Sequence, residues 1–246
     1  MLGKGITDRC QNIYNSREHV CIGISPFNSY FSEVRIRSLI EWAAKTFSSF
    51  HVFVPDVPSA YTLEALGYAP EKAAHKARRQ ANCLHNKIYR CLAAVGLTGD
   101  KAKEKVLNWK ALSENETYLK LWNESKTLYE SDPVFRSNCL EASRWVMEKR
   151  VPDVDALSEN ALSLAVQYFL SEIPLFMDVA AIVNKESSVF SYHQTIPFLE
   201  NLYRGNLPIR SSARQGFFVF DSILDGNQNF TFEQNLASEN TSTTYS

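Results

Sequence analysis

The stretch Ile22–Ser32, IGISPFNSYFS, sets three serines, an asparagine and a tyrosine between a short apolar run and an amphipathic pattern. Ser25 falls where a strand built from that run would end, and Pro26 holds it out of helix. Ligands of open α/β sheets bind at the carboxyl ends of the strands. Ser25 is therefore a candidate nucleophile. The later serines have a simpler use. Ser29 or Ser32 can cap the helix that follows, with Glu33 in its first turn. Capping leaves Ser25 and Asn28 over.

Gly23-Ile24-Ser25 is also half of a Gly-x-Ser-x-Gly elbow, but Phe27 stands where the second glycine belongs. That elbow normally follows a middle strand of its sheet. His193 would have to complete a triad, with no obvious acid to orient it. A serine hydrolase is thus an alternative with little support. No dinucleotide fingerprint or phosphate-binding loop occurs.

Two later segments carry candidate groups. In ENALSLAVQYFLSEIPLF, the residues Ala161, Ala165, Tyr168 and Glu172 share one helical face. The spacing predicts that Glu172 sits in the last turn before Pro174. A carboxylate there opposes the helix dipole at about 0.3–1 kcal/mol. That placement suits a site holding a cation such as an ammonium group; an exposed glutamate at a helix end is the plain alternative. In SYHQTIPF, Tyr192 and His193 close a strand. Adjacent residues of an extended strand face opposite sides, and a lone histidine here is more often structural.

A basic stripe is the other signal. Lys72, Lys76, Arg79, Cys83, Lys87 and Arg90 recur at the helical period, Arg78 adds to that face, and no Asp or Glu occurs from Lys72 to Gly99. Ala77, Ala81, Leu84, Ile88 and Val95 form the opposite, buried side. A solvated helix usually alternates signs and gains i,i+4 pairs. A one-sign stripe forgoes them, and a polyanion would offset the repulsion. The stripe spans about 27 Å at helical rise, enough to follow several phosphates. A merely soluble face is the alternative.

The elements around these residues read as an α/β domain. His19–Ser25 is a buried strand. Ile36, Leu39, Ile40, Ala43 and Phe47 give a helix with one buried stripe, and Phe50–Asp56 a second strand. Together they make a βαβ unit with a parallel sheet. Helices are predicted from Pro70 to about Val95, over 104–130 and 132–149, and over Leu157–Ile173, stopping before Pro174. Ser187–His193 and Gly216–Ile223 are later strands. The expected organisation is one α/β domain over residues 1–224, a mostly parallel central sheet flanked by helices. A polar, disordered tail over 225–246 follows.

Composition agrees. The chain has 246 residues, 45% hydrophobic and 12% aromatic, enough for one full core. The formal net charge of −1 says nothing of partners. Cysteines at 10, 21, 83, 91 and 139 are odd in number and scattered, against a disulfide framework or structural zinc. A cytoplasmic protein is expected, with no signal peptide and no membrane span.

GISPFNSYFS, QYFLSEIPLF and SYHQTIPF occur in that order, with the basic helix between the first two. With these motifs the chain resembles, over roughly residues 12–222, the tRNA-dependent cyclodipeptide synthases. Asn28, Tyr192 and His193 match the family's Asn-Tyr-His group. The family resembles the Rossmann-like catalytic domain of class I tyrosyl- and tryptophanyl-tRNA synthetases, whose His-Ile-Gly-His and Lys-Met-Ser-Lys-Ser signatures are missing here. The resemblance implies two aminoacyl-tRNAs as substrates, without ATP, metal or cofactor, and a cyclic dipeptide as product. It implies ping-pong catalysis through aminoacyl- and dipeptidyl-enzyme on Ser25. Asn28 and Tyr168 would hold the aminoacyl group, Glu172 its α-ammonium, and Tyr192 would serve proton transfer in the later steps. The first side chain would enter a pocket near Cys21, Gly23, Phe53, Pro55, Leu175 and Phe190, with His193 beside the substrate. Lys72, Lys76, Arg78, Arg79, Lys87 and Arg90 would bind the first tRNA. A synthetase-like tRNA-binding module without chemistry, or a serine hydrolase, are the other readings. The base that activates Ser25 is not legible in the sequence.

Overall fold

The computed structural model describes residues 3–155 and 157–220. In chain order its elements are β1 (Gly3–Gly5), α1 (Asp8–Ser16), β2 (His19–Gly23), α2 (Glu33–Thr46), β3 (Ser49–Phe53), α3 (Ser59–Ala65), α4 (Pro70–Ala94) and α5 (Gly99–Glu104). Then follow β4 (Val106–Leu107), α6 (Trp109–Ser113), α7 (Glu116–Ser131), α8 (Pro133–Glu148), α9 (Glu159–Ile182), β5 (Ser188–Tyr192), α10 (Pro197–Arg204) and β6 (Gln215–Phe220).

The βαβ unit forms as its pattern requires. Every residue of β2 is buried, as a central parallel strand demands. Cys21 points into one core; Val20 and Ile22 point into the other. Ser32 caps α2 by accepting from Arg35 N, and Ile36, Leu39, Ile40 and Ala43 bury its stripe. The sheet order is β1-β6-β5-β2-β3-β4. All neighbours are parallel except the edge pair of β1 and β6. From β2 the chain winds outward to β3 and β4, then returns to place β5 on the other side of β2. The strand order reverses between β2 and β5, which makes the crevice beyond their carboxyl ends the ligand site of such a sheet.

Several details differ from the sequence-based expectations. β1 and α1 carry no strong period and were not anticipated. The predicted helix over 104–130 is the end of α5, a two-residue strand and two further helices, because Asn108 and Asn115 each cap a new helix start. α9 does not stop at Pro174. It runs on to Ile182, with non-helical backbone only at Asp178. The release comes four residues late because packing outweighs the lost amide: 14 of the 24 residues of α9 are buried. Gln215 Oε1 accepts the freed Val179 N–H at 2.8 Å, and Asp178 Oδ1 caps Ala181. α9 is long and apolar enough to cross a membrane, yet 72% of its apolar window is buried inside the fold. It is the core helix. The proposed tail at 225–246, and the end of the last strand beyond Phe220, lie outside the described residues.

At the opposite end of the sheet, His19 bridges Ser188 Oγ at 2.7 Å and His51 Nδ1 at 2.8 Å, tying β2 to β5 and β3. Burial lowers His19 to about 2 and His51 to about 4, and Lys105 and Lys185 add to both shifts. Unfolded, each would titrate near 6.5. The unfolded chain thus binds more protons below that value, and stability falls with pH from about 6.5 toward 4. We expect a loss on the order of 6 kcal/mol from the two groups together across that window, read by urea unfolding. His51→Gln should roughly halve the dependence.

Candidate active site

Ser25 leaves β2 at the crevice beside β5. Ile24 N still donates to Phe53 O at 2.9 Å. The chain then turns sharply: Phe27 takes a left-handed φ of 59°, a strained conformation for a bulky residue of the kind that clusters at functional sites. The turn carries Asn28 back over Ser25. Gly23 makes the approach of β5 feasible, since a Cβ there would lie 2.7 Å from the Phe190 ring and 3.3 Å from Tyr192.

The polar groups form one connected set. Ser25 Oγ lies 3.0 Å from Tyr192 Oη. Asn28 Nδ2 donates to Tyr192 Oη at 3.3 Å and meets His193 Nε2 at 3.1 Å. Tyr30 N donates to Asn28 Oδ1 at 3.0 Å, which fixes the amide with its nitrogen toward tyrosine and histidine. His193 Nε2 must then accept, so the ring is neutral. Burial, Lys149 and Arg35 hold it low, at about 4. Tyr30 stacks on it with centroids 4.1 Å apart.

α9 supplies the other wall. Tyr168 lies one turn before Glu172, and both line the cavity with Ser25. Ser25 and Glu172 act on the Tyr168 hydroxyl, and burial raises it well above the usual phenol range. Burial raises Glu172 to about 8, while a hydrogen bond from Tyr168 opposes the shift. Since α9 continues, Glu172 is in mid-helix, and its unfavourable placement comes from desolvation and not from the helix dipole. Tyr192 is pushed up to about 12, chiefly by burial.

The cavity holds about 370 Å³. Gly23, Ser25, Asn28, Phe53, Pro55, Tyr168, Glu172, Phe190, Tyr192 and His193 all line it. Cys21 and Leu175 are fully buried in the core instead, outside the lining. Phe176 and Phe217 line the cavity without having been anticipated. Tyr192 and His193 do not face opposite ways. The strand ends at Tyr192, and the bend after it returns His193 to Asn28. Sequence reading also missed Arg150 and Lys149, which line the cavity from the end of α8. Their only signal was a Lys-Arg pair at a helix C-terminus, an ordinary place for cations.

The basic helix α4 exposes Lys72, Arg78, Arg79 and Arg90 and half-buries Lys76 and Lys87. It buries Ala77, Ala81, Leu84 and Ile88. The stripe is not wholly unpaired. Lys76 Nζ donates to Tyr68 Oη at 3.0 Å. Arg90 forms a two-pronged ion pair with Glu33 on α2, at 3.1 and 2.6 Å. Arg78 and Arg79 form no ion pair among the described residues.

A serine and a phenol thus meet at the switch point of a parallel sheet, above a phenyl-lined cavity with one raised carboxylate. That is the equipment of an acyl-transfer enzyme on a synthetase-like α/β fold. A family model described as "Cyclodipeptide synthase" matches residues 2–222, and the chain belongs to that family. The "Cyclo(L-leucyl-L-leucyl) synthase" of Bacillus subtilis strain 168 is 32% identical over 226 residues, covering 90% of this chain and 90% of the relative. The "Cyclo(L-tyrosyl-L-tyrosyl) synthase" of Mycobacterium tuberculosis strain H37Rv is 31% identical, covering 89% of this chain and 75% of the relative. A solved cyclodipeptide synthase from Bacillus thermoamylovorans superposes with a TM-score of 0.81 at 27% identity, covering 89% and 94% of the two chains. A Mycobacterium tuberculosis structure reaches a TM-score of 0.78 at 30% identity, covering 89% of this chain and 91% of its own. It is described as showing that cyclodipeptide synthetases are related to type I tRNA synthetases. The chain is accordingly an enzyme that forms cyclodipeptides.

Proposed function

We propose that the chain joins the aminoacyl groups of two aminoacyl-tRNAs into a 2,5-diketopiperazine through covalent intermediates on Ser25. The observation that carries this reading is the 3.0 Å contact of Ser25 Oγ with Tyr192 Oη, beside Glu172 in one cavity. Ser25 Oγ attacks the ester of the first aminoacyl-tRNA. A phenol pushed up to about 12 is a poor free base, so Tyr192 acts as a relay: it takes the serine proton while giving its own to the departing ribose oxygen. Covalent catalysis splits one hard step into two easier ones.

Glu172 holds the α-amino group. Its value of about 8 lies close to that of an ordinary α-amine, about 7.7–8.0. A proton can therefore rest on either group at little cost, and Glu172 can take it before the amine attacks the second ester. The dipeptidyl amine then closes on the Ser25 ester and releases the ring. Asn28 and Tyr168 position the acyl group. Phe53, Phe190, Phe176 and Phe217 line the cavity, which supports an apolar first side chain. The relatives' printed products, with leucyl, tyrosyl and phenylalanyl residues, agree. Dependence on aminoacyl-tRNA fits a cytoplasmic enzyme.

The hydrolase reading loses its histidine, since His193 meets Asn28 and the hydrogen bond of Ser25 goes to Tyr192. Expression in a bacterial host, with mass spectrometry of the medium, tests the proposal. A cyclic dipeptide absent from the empty-vector control is expected. No such product would sink it.

Helix α4 is proposed to carry the first tRNA. Replacing Arg78 and Arg79 together by Gln should lower turnover at least ~10-fold and reduce the log–log salt slope by roughly one unit per lost phosphate contact. Because Glu33 already holds Arg90, Arg90→Gln should cost less. A salt response unchanged by the Arg78/Arg79 replacements would remove α4 from the tRNA path.

A further inference from the structure

α8 ends on two cations at the mouth of the cavity. Lys149 and Arg150 both line it. Lys149 Nζ stands 3.6 Å over the Trp145 ring and donates to Gln194 Oε1 at 3.1 Å. That contact ties the end of α8 to the bend after His193. Arg150 is half-buried and shares the cavity lining with Tyr168 and Tyr192. Neither cation forms an ion pair among the described residues. The lining holds a single carboxylate, Glu172.

Cations are favourable at a helix C-terminus, but that effect is met with the charged head in water. Arg150 is half-buried and desolvated instead, an arrangement that costs free energy unless an anion arrives. The cyclic dipeptide ring is neutral, and the amine is neutral or cationic, so neither calls for two positive groups. An aminoacyl-tRNA carries two kinds of anion near its ester: the phosphodiester one ribose away, and the side-chain carboxylate when the amino acid is acidic. α4, the proposed tRNA helix, packs on α2 and α3, whereas α8 packs on α9, α7 and α10. The two basic features thus sit on different helices with different packing partners.

We propose that Lys149 and Arg150 form an anion subsite at the cavity mouth that receives an anionic group of the incoming aminoacyl-tRNA. The inference rests on the aminoacyl-tRNA reading for the identity of the anion. Trp145, under the Lys149 ammonium, provides a readout that does not depend on turnover. Its fluorescence is followed against a Trp145→Phe baseline, which accounts for the other three tryptophans. Two ligand pairs separate the sources: adenosine 5′-monophosphate against adenosine, and the glutamyl ester of adenosine against the glutaminyl ester.

At low salt the wild type should bind the charged member of at least one pair about 10-fold tighter. Lys149→Met, at an exposed position, should erase that preference and leave the neutral member's affinity unchanged. Preference for the monophosphate assigns the subsite to the phosphodiester; preference for the glutamyl ester assigns it to the side chain. Equal affinities within both pairs for the wild type would overturn the subsite, as would a Lys149→Met loss that is the same for charged and neutral ligands. Cyclic dipeptide formation by the same preparation reports separately on the catalytic reading.

Discussion

Ser25→Ala should abolish cyclic dipeptide formation, a fall of at least ~10³-fold, and with it any covalent aminoacyl adduct. The expectation follows from position. Ser25 is placed at the reversal of strand order, between Tyr192 from β5 and Tyr168 from α9. Removing a nucleophile leaves only binding and positioning, which cannot form the ester intermediate. The fold should survive. Ser25 is half-buried, and Tyr192 Oη still accepts from Asn28 after the change, so the stability cost is about 1 kcal/mol. The check is intact-protein and peptide mass spectrometry after mixing with charged tRNA. Wild type should gain one aminoacyl mass at Ser25 and the variant none. An adduct mapped to another side chain, or product from a folded alanine variant, would end the proposed mechanism.

Glu172→Gln should do two opposite things. Activity should fall by about 10²–10³-fold, because the substrate amine loses both its buried counter-charge and its proton acceptor. Stability at alkaline pH should rise. Glu172 is raised from 4.5 to about 8 by burial, so the folded chain binds more protons than the unfolded one between those values. Stability is then lost as pH climbs through that window. Gln carries no charge to bury. At about pH 9 the variant should be more stable by about 5 kcal/mol, or roughly 10–20 °C in Tm, with the difference vanishing near pH 4. Opposite signs for activity and stability would mark a carboxylate retained for chemistry at the expense of the fold. A variant destabilised at both pH values would instead make Glu172 a structural residue.

These two pH dependences are separable. The His19–His51 pair acts below about pH 6.5, where stability falls with acid, and Glu172 acts above 4.5, where stability falls with base. They lie at opposite ends of the sheet, so His51→Gln and Glu172→Gln should add.

The sequence by itself determined the βαβ unit, since the continuous apolar run in HVCIG and the stripe from Ile36 to Phe47 are local patterns that packing only had to accept. It determined the basic face of α4, because side chains at helical spacing fall together wherever the helix lies. It singled out Ser25 and Asn28 by what capping left unexplained and set Tyr168 and Glu172 on one helical face, and the family motifs gave these residues and Tyr192 their proposed roles. Only the tertiary structure decided what these residues do to one another. Pro174 looked like a helix stop, and burial of α9 overrode it, which moved Glu172 from a helix end to a desolvated interior. Tyr192 and His193 looked opposed, and the end of β5 turned both toward Asn28. Arg150 and Lys149 looked like routine cations at a helix end until α8 was packed against the cavity. Each of these outcomes depends on groups that are distant in the chain and adjacent in space. Local propensity and spacing carry no term for that proximity, and desolvation, which sets the chemistry of Glu172 and Tyr192, exists only once the walls are assembled.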